Sequence, residues 1–252
     1  MDLFYEIQGE GLPLVMLHSP GVDSREWKYV APRLAQTYKV ITFDGRGTGH
    51  SPAPQTPINL VEDLRMLLEH LGLERVTLIG HSMGGQAVTD FTLTYPSMVE
   101  RLVVVAPWLT GFVPSPEYTG WMESVNSAAP DVSRLVELSL AGPNYRITMA
   151  GPHRDFLREM TTQYMTRVFT EWKSFEVIWP EPPAIERLES IAVRTMFIHG
   201  TVEWPEMFKI AEQFKRIPAI RFVEMDRADH MLTLTHADEL ARHIDDFIEG
   251  KI

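Results

Sequence analysis

The sequence predicts an α/β fold, a mainly parallel and doubly wound sheet of about seven strands with an inserted helical cap. Three observations favour it. Short apolar, β-branched runs alternate with helical runs along most of the 252 residues, as in a parallel sheet covered on both faces. A Gly-x-Ser-x-Gly sequence joins one such strand directly to a helix. One segment, residues 109–184, interrupts the alternation and has no clear strand.

Each element has its own local signal. The runs predicted to be strands are Leu3–Ile7, Leu12–Leu17, Lys39–Phe43, Arg75–Ile79, Arg101–Val105, Arg194–Ile198 and Ile220–Glu224. The segments with helical periodicity are Glu26–Gln36, Leu60–Leu71, Gln86–Tyr95, Glu206–Phe214 and Ala237–Ile248. In the last of these, Leu240, Ile244 and Phe247 share one face, which predicts packing against the sheet.

The interrupting segment is predicted to be a helical cap. It is rich in aromatic and methionine side chains, and Trp179-Pro180-Glu181-Pro182-Pro183 ends it like a hinge. A cap at this place covers the carboxyl ends of the strands, where open α/β sheets bind ligands. The predicted organisation is a core of residues 1–108 and 185–252 with a cap of residues 109–184.

Composition excludes several classes of partner and site. A formal net charge of −11 argues against nucleic acid and anionic membrane surfaces as partners. The absence of cysteine removes disulfides, thiol nucleophiles and thiolate metal sites. No signal-peptide pattern and no bilayer-length apolar run is visible. We therefore expect a cytoplasmic protein without a cofactor or metal, and the sequence leaves a homodimer open.

Ser82 is the candidate nucleophile. It lies between the glycines Gly80 and Gly84, after an apolar strand and before a helix. A serine at the apex of a strained turn points its hydroxyl out of the sheet, and glycines allow neighbouring backbone to approach without a Cβ clash. The helix that begins there directs free N–H groups at a reacting carbonyl oxygen.

Four further motifs stand in register with the Ser82 turn. They are His18-Ser19-Pro20-Gly21 followed by Trp27, the Asp-x-Arg-Gly-x-Gly-x-Ser loop at 44–51, the strand-Gly-x-x-acid segment at 197–203, and Asp229-His230-Met231 before the last helix. With these motifs the chain resembles the α/β-hydrolase superfamily over almost its whole length outside the cap. The first motif resembles the oxyanion turn of that superfamily, and in particular the Asn-Ser-Leu-Gly turn of 3-oxoadipate enol-lactonases and related small esterases.

The resemblance implies a catalytic triad of Ser82, His230 and Glu203, in the chain order of that superfamily. A serine hydroxyl is a poor nucleophile until a base takes its proton, which is the role implied for His230. An imidazole needs an acceptor on its other nitrogen, which is the role implied for Glu203 in place of the usual aspartate. Glu206 and Asp229 are the alternative acids.

The oxyanion hole departs from the family pattern. The resemblance implies two backbone N–H donors, one from Met83 and one from the residue that here is Pro20, which has no N–H. Losing one such donor costs roughly 10²–10³ in rate. The alternatives are a donor N–H from Ser19 or Gly21, the Ser19 hydroxyl, or a reaction that needs a weaker hole.

The function predicted from these residues is hydrolysis of small carboxylic esters or lactones through an acyl-enzyme. A carbon–carbon bond hydrolase is a close variant, and a cofactor-independent lyase or oxygenase with His230 as base stays open because of Pro20. A binding protein on the same scaffold is less consistent with the Ser82–His230 pair. We expect a small apolar or aromatic ester-like substrate. The predicted pocket residues are His18, Trp108, Trp121, Met149, Trp179 and Met231.

Overall fold

The computed structural model describes residues Met1–Ile252 and contains one seven-stranded sheet. Its strands are β1 (Tyr5–Gln8), β2 (Pro13–Leu17), β3 (Lys39–Phe43), β4 (Val76–His81), β5 (Val99–Val105), β6 (Arg194–Val202) and β7 (Ile220–Asp229). They lie in the order β1-β3-β2-β4-β5-β6-β7. Only the β1–β3 pair is antiparallel. The predicted fold class is confirmed, although β6 and β7 extend beyond their predicted ends.

Helices pack on both sides of the sheet. They are α1 (Ala31–Leu34), α2 (Leu60–His70), α3 (Met83–Thr94), α4 (Pro116–Asn126), α5 (Val132–Leu140), α6 (Arg146–Ala150), α7 (Arg154–Thr170), α8 (Pro205–Phe214), α9 (Leu232–Thr235) and α10 (Ala237–Ile248). Leu240, Ile244 and Phe247 of α10 are fully buried, as their shared face predicts. None of the helices combines the length and apolar character that a membrane crossing requires.

The predicted helix over residues 26–36 is wrong. A 3₁₀ turn at Ser24–Trp27 and the single turn α1 take its place. The side chain of Asp23 caps the 3₁₀ turn by accepting from Arg25 N at 3.0 Å, and Trp27 is fully buried. Pro32 has no N–H to continue a helix from the preceding turn, so it stands at the start of α1 instead.

The segment between β5 and β6 holds helices α4 to α7 and is tied to the rest of the chain by several groups of hydrogen bonds, among them those of Asp229 and Ile58. Asp229 at the end of β7 accepts hydrogen bonds from Thr148 N at 2.6 Å and Thr148 Oγ1 at 2.7 Å. Ile58 N donates to Glu176 O at 2.8 Å, and Ile178 N donates to Ile58 O at 2.7 Å. A small cluster joins both parts: Val22, Val136, Leu140, Leu157, Met160, Met231 and Leu234. The division into core and cap at residues 109 and 184 stays a prediction.

Gly84 packs so closely that a side chain there has no room. A Cβ at Gly84 would lie 2.3 Å from Leu17 O and 2.5 Å from His18 O, both backbone atoms. We therefore expect Gly84→Ala to lower the free energy of unfolding by about 2 kcal/mol or more. Chemical denaturation followed by circular dichroism measures this change.

Gly120→Ala is the matched control. A Cβ at Gly120, on the exposed face of α4, meets no atom within 4 Å. Alanine should therefore stabilise the helix there by up to about 1 kcal/mol. Equal unfolding free energies for the two variants would contradict the packing described for Gly84.

Candidate active site

The candidate residues meet at the carboxyl edge of the sheet. Ser82 follows β4, His230 follows β7, and Glu203 follows β6. The parallel strands bring their carboxyl ends to one edge, where ligands bind in open α/β sheets. Ser82, Glu203 and His230 consequently line one cavity of about 290 Å³.

Ser82 occupies a strained backbone conformation at the start of α3. Its φ of 54° and ψ of −117° lie outside the regions that non-glycine residues favour. Three backbone hydrogen bonds hold it there: Ser82 N donates to Val105 O at 2.9 Å, and Ser82 O accepts from Gln86 N and Trp108 N, each at 3.0 Å. The surrounding strand and helix therefore fix the turn that presents Ser82 to the cavity.

His230 is held by a carboxylate on one ring nitrogen. Its Nδ1 lies 2.8 Å from Glu203 Oε1, and both side chains are almost fully buried. Burial disfavours the charged imidazolium, but Glu203 outweighs this effect and raises the pKa of His230 above its ordinary value of 6.5. The backbone N–H of His230 donates to Asn144 O at 2.9 Å. Ser82 and the imidazole line the same cavity without a direct hydrogen bond.

Asp229 and Glu206, the alternative acids, have other partners. The Asp229 carboxylate accepts from Thr148 and, at 3.2 Å, from Met231 N. Glu206 is in the first turn of α8 and accepts from Ser115 N at 3.3 Å. Neither carboxylate forms a hydrogen bond with the imidazole of His230, so Glu203 is the acid that the geometry favours.

The contacts of Ser19, Pro20 and Gly21 distinguish among the predicted sources of a second oxyanion donor. Ser19 N lies 3.3 Å from both carboxylate oxygens of Glu26, and Ser19 Oγ donates to Glu26 Oε2 at 2.8 Å. Ser19 is buried and does not line the cavity, whereas Pro20 and Gly21 do. Gly21 has a φ of +80°, and its N–H has no acceptor within the protein. Gly21 is thus the member of the turn with a free N–H at the cavity.

Glu26 is a central residue that the sequence does not single out. It is fully buried, accepts from Ser19, and lies 3.2 Å from His81 Nδ1. The His81 ring in turn packs on the His230 ring, with centroids 4.9 Å apart. One carboxylate therefore connects the oxyanion turn, the serine turn and the histidine. Its only signal in the sequence is its place just before Trp27.

The predicted pocket residues divide into two groups. Those that line the cavity are Trp108, Trp121 and Met231. His18, Met149 and Trp179 do not. His18 accepts from Gly45 N at 2.9 Å and borders a separate cavity of about 150 Å³. Met149 packs on the small apolar cluster and Trp179 on the main core, and neither lines the cavity.

The sequence does not single out several residues that line the cavity. They include Tyr118, Tyr145 and Trp204. Trp204 directly follows Glu203 in the chain. Because Glu203 is predicted to lie at the cavity, this neighbouring position is a signal by which Trp204 could have been predicted. Burial raises the pKa of Tyr145 above its ordinary value. No group of three or more His, Asp or Glu side chains is arranged to hold a metal ion.

A model of the Alpha/beta hydrolase family matches residues 14–243. The abhydrolase domain-containing protein abhd-5.2 of Caenorhabditis elegans is 24% identical over 260 residues, 91% of this chain and 57% of that protein. The pimeloyl-[acyl-carrier protein] methyl ester esterase of Legionella pneumophila (strain Corby) is 24% identical over 266 residues, 99% of this chain and 100% of that protein. The alignments span only 31% to 57% of the length of the first curated relatives.

A similar solved structure is the enol-lactonase of Burkholderia xenovorans LB400. It superposes with a TM-score of 0.79 and 22% sequence identity, and the match covers 98% of this chain and 96% of that one. At this identity the likeness shows the fold alone.

The pKa of His230 provides a test of its pairing with Glu203. Because the folded-state pKa is raised, the pairing adds stability that is fully present below about pH 6.5 and is lost as pH rises through the folded pKa. We expect Glu203→Gln to lower the His230 pKa, measured by NMR titration of the imidazole. Glu206→Gln is the control and should leave it nearly unchanged. The reverse pattern would show that Glu206 is the partner.

Proposed function

We propose that this chain, which belongs to the Alpha/beta hydrolase family, is a serine hydrolase of small carboxylic esters or lactones that acts through an acyl-enzyme on Ser82. The observation that carries the proposal is a shared cavity. In it, a serine at positive φ lies beside a histidine whose Nδ1 is 2.8 Å from Glu203. These are the groups that nucleophilic catalysis by a hydroxyl uses, and in this proposal the hydrogen bond between Ser82 and His230 forms when substrate binds.

In the first half-reaction, Ser82 Oγ attacks the carbonyl carbon and His230 Nε2 accepts the hydroxyl proton. The hydrogen bond to Glu203 assigns the proton of the neutral imidazole to Nδ1, which leaves the Nε2 lone pair free. Glu203 then stabilises the imidazolium without itself taking the proton. The bond to the leaving oxygen breaks, His230 protonates that oxygen, and the acyl group stays on Ser82.

In the second half-reaction, His230 takes a proton from water, and the hydroxide so formed attacks the acyl carbon. Collapse of the second tetrahedral intermediate returns the proton to Ser82 Oγ and releases the acid. For a lactone, the alcohol and acid are parts of one product molecule. Each proton is thus taken up and returned by His230, and no further reactant is needed.

The negative oxygen of each tetrahedral intermediate needs donors. Met83 is the first residue of α3, so its N–H has no acceptor within the helix. Gly21 supplies the second donor in this proposal, since the N–H and hydroxyl of Ser19 are both directed at Glu26. The lyase or oxygenase alternative depends on a missing second donor, and Gly21 removes that reason for preferring it.

The relatives are consistent with ester chemistry. The Legionella relative that aligns along its full length is named a methyl ester esterase, and the solved structure is named an enol-lactonase. Both names describe hydrolysis of a carboxylic ester bond, open or cyclic. Neither substrate is carried over to this chain, because this cavity has its own set of lining residues.

Removal of either reacting side chain tests the mechanism. Ser82→Ala and His230→Ala should each lower the turnover of p-nitrophenyl acetate by roughly 10³-fold or more. A fluorophosphonate should label the wild-type peptide that contains Ser82, identified by mass spectrometry. Ser139→Ala is the matched control, since Ser139 lines the same cavity and has no role in the mechanism. Wild-type turnover or labelling in Ser82→Ala would contradict the acyl-enzyme.

Pro20→Ala tests the second oxyanion donor, because it returns an N–H to the turn. If Gly21 already supplies the donor, the turnover number of Pro20→Ala should differ from that of the wild type by no more than about threefold. If the wild type lacks a second donor, the restored N–H should raise the turnover number by roughly 10²-fold. The comparison uses p-nitrophenyl esters at saturation, since an oxyanion donor acts on the transition state. A rise near 10²-fold would show that the wild-type hole lacks its second donor.

A further inference from the structure

One wall of the cavity is a cluster of four aromatic rings, Trp108, Tyr118, Trp121 and Trp204. The Tyr118 ring contacts the other three, with centroids 5.1 Å from Trp108 and 5.6 Å from both Trp121 and Trp204. Trp121 and Trp204 also contact each other, at 5.4 Å. The faces of such rings carry partial negative charge and attract cations within about 6 Å of their centroids.

A buried carboxylate oxygen on the same cavity has no partner. Glu206 is 1% exposed and lines the cavity. Its Oε1 accepts from Ser115 N at 3.3 Å and lies 3.7 Å from the Nζ of the exposed Lys209, whereas its Oε2 has no hydrogen-bond partner. A buried charged oxygen without a partner is costly. Because Glu206 lines a cavity of ligand size, the missing partner of Oε2 points to a group of the ligand.

Glu206 is ionised at neutral pH. Burial raises the pKa of a carboxyl group, but the hydrogen bonds of Glu206, chiefly from Ser115, outweigh this effect and keep its pKa below the usual 4.5. Burial, together with Glu206 and Glu203, raises the pKa of Tyr118 to about 12, so this phenol is neutral. The cavity wall thus combines a fixed negative charge with aromatic faces.

The ion-pair partner of Glu206, Lys209, is exposed and does not line the cavity. Neither lysine nor arginine lines it, and His230, the only lining residue that can become cationic, is paired with Glu203. Such a cavity disfavours an anionic substrate group and favours a cationic one.

We infer that this cavity binds substrates that carry a quaternary ammonium or a protonated amine, held by the carboxylate of Glu206 and the ring faces of Tyr118, Trp121 and Trp204. The inference rests on the proposed function, and it narrows the substrate class to small esters or lactones with a cationic group. The aromatic wall is well suited to a quaternary ammonium, which offers no N–H donors and binds through ring faces.

A purely structural role for Glu206 explains less. An acid in the first turn of α8 is favoured by the helix dipole, and its bond to Ser115 fixes the start of α4. The charge of Glu206 is sufficient for the interaction with the helix dipole, and Oε1 is sufficient for the hydrogen bond from Ser115. Both roles leave Oε2 without a partner, and they do not require an aromatic wall in the same cavity.

The test uses choline and its uncharged carbon analogue 3,3-dimethylbutan-1-ol. These ligands differ in the central atom of the bulky group, nitrogen or carbon, and hence in charge. Their binding to the Ser82→Ala variant is measured by isothermal titration calorimetry, so that turnover plays no part. We expect choline to bind roughly tenfold more tightly than the alcohol. Equal binding, or tighter binding of the alcohol, would overturn the inference.

Glu206→Gln, added to the Ser82→Ala variant, removes the charge and keeps a carbonyl acceptor for Ser115 N. It should weaken choline binding by roughly tenfold and leave the alcohol within about twofold. Glu212→Gln is the matched control, because Glu212 is an exposed carboxylate on the same helix. Glu212→Gln should leave the affinity for choline and for the alcohol unchanged. Equal loss of both ligands in Glu206→Gln would show a structural role instead.

Trp204→Leu keeps the charge of Glu206 and removes one ring. It should also lower the ratio of choline to alcohol binding, and an unchanged ratio in a folded variant would count against the aromatic part of the site.

The two proposals fail in different ways. Choline binding without any esterase activity in the wild-type chain would overturn the hydrolase and leave the cation site. Hydrolysis of neutral esters without a preference for choline would overturn the cation site alone.

Discussion

The close approach of two backbone segments determines how the candidate site is built. Gly84, near the start of α3, lies directly against the end of β2, so that a Cβ would be 2.3 Å from Leu17 O. Gly80, at the end of β4, lies as close to Gly84 O. Because a side chain at either glycine would push these segments apart, the serine turn and the oxyanion turn pack directly against each other. This packing accommodates the positive φ of Ser82. Glu26 contacts both turns, through Ser19 of the oxyanion turn and through His81, which directly precedes Ser82.

Buried carboxylates at this edge are distinguished by their partners rather than by their positions in the sequence. Glu26 accepts from Ser19, Glu203 contacts His230, and Asp229 accepts from Thr148. These contacts differ in what they hold: the first carboxylate holds the oxyanion turn, the second holds the imidazole that is the proposed base, and the third attaches α6 to β7. Glu206 differs, because it accepts from Ser115 N with Oε1 while its Oε2 has no hydrogen-bond partner. This unpartnered oxygen is the reason that, among the four carboxylates, a contact with substrate is proposed for Glu206.

The sequence predicts those features that depend on local signals. All seven strands, the serine turn and the loops that bring Ser82, Glu203 and His230 to one cavity follow from apolar runs, glycines and motif spacing. Features set by tertiary packing are not predicted. Glu26 lies in a 3₁₀ turn whose burial depends on the core around it. Likewise, Trp121 lines the cavity and Trp179 packs on the main core, because the path of the segment between β5 and β6 over the sheet decides which aromatic side chains reach the cavity.

The central claim is that these loops hold a tetrahedral, negatively charged centre on Ser82. A crystal structure of the chain after reaction with a small fluorophosphonate tests it most directly, since the adduct has the tetrahedral shape of that centre and its polarised phosphonyl oxygen takes the place of the negative oxygen. The predicted result is a phosphorus bonded to Ser82 Oγ, with the phosphonyl oxygen about 3 Å from the backbone nitrogens of Met83 and Gly21. An adduct on Ser82 whose phosphonyl oxygen points away from both nitrogens, or an adduct on another residue, would contradict it.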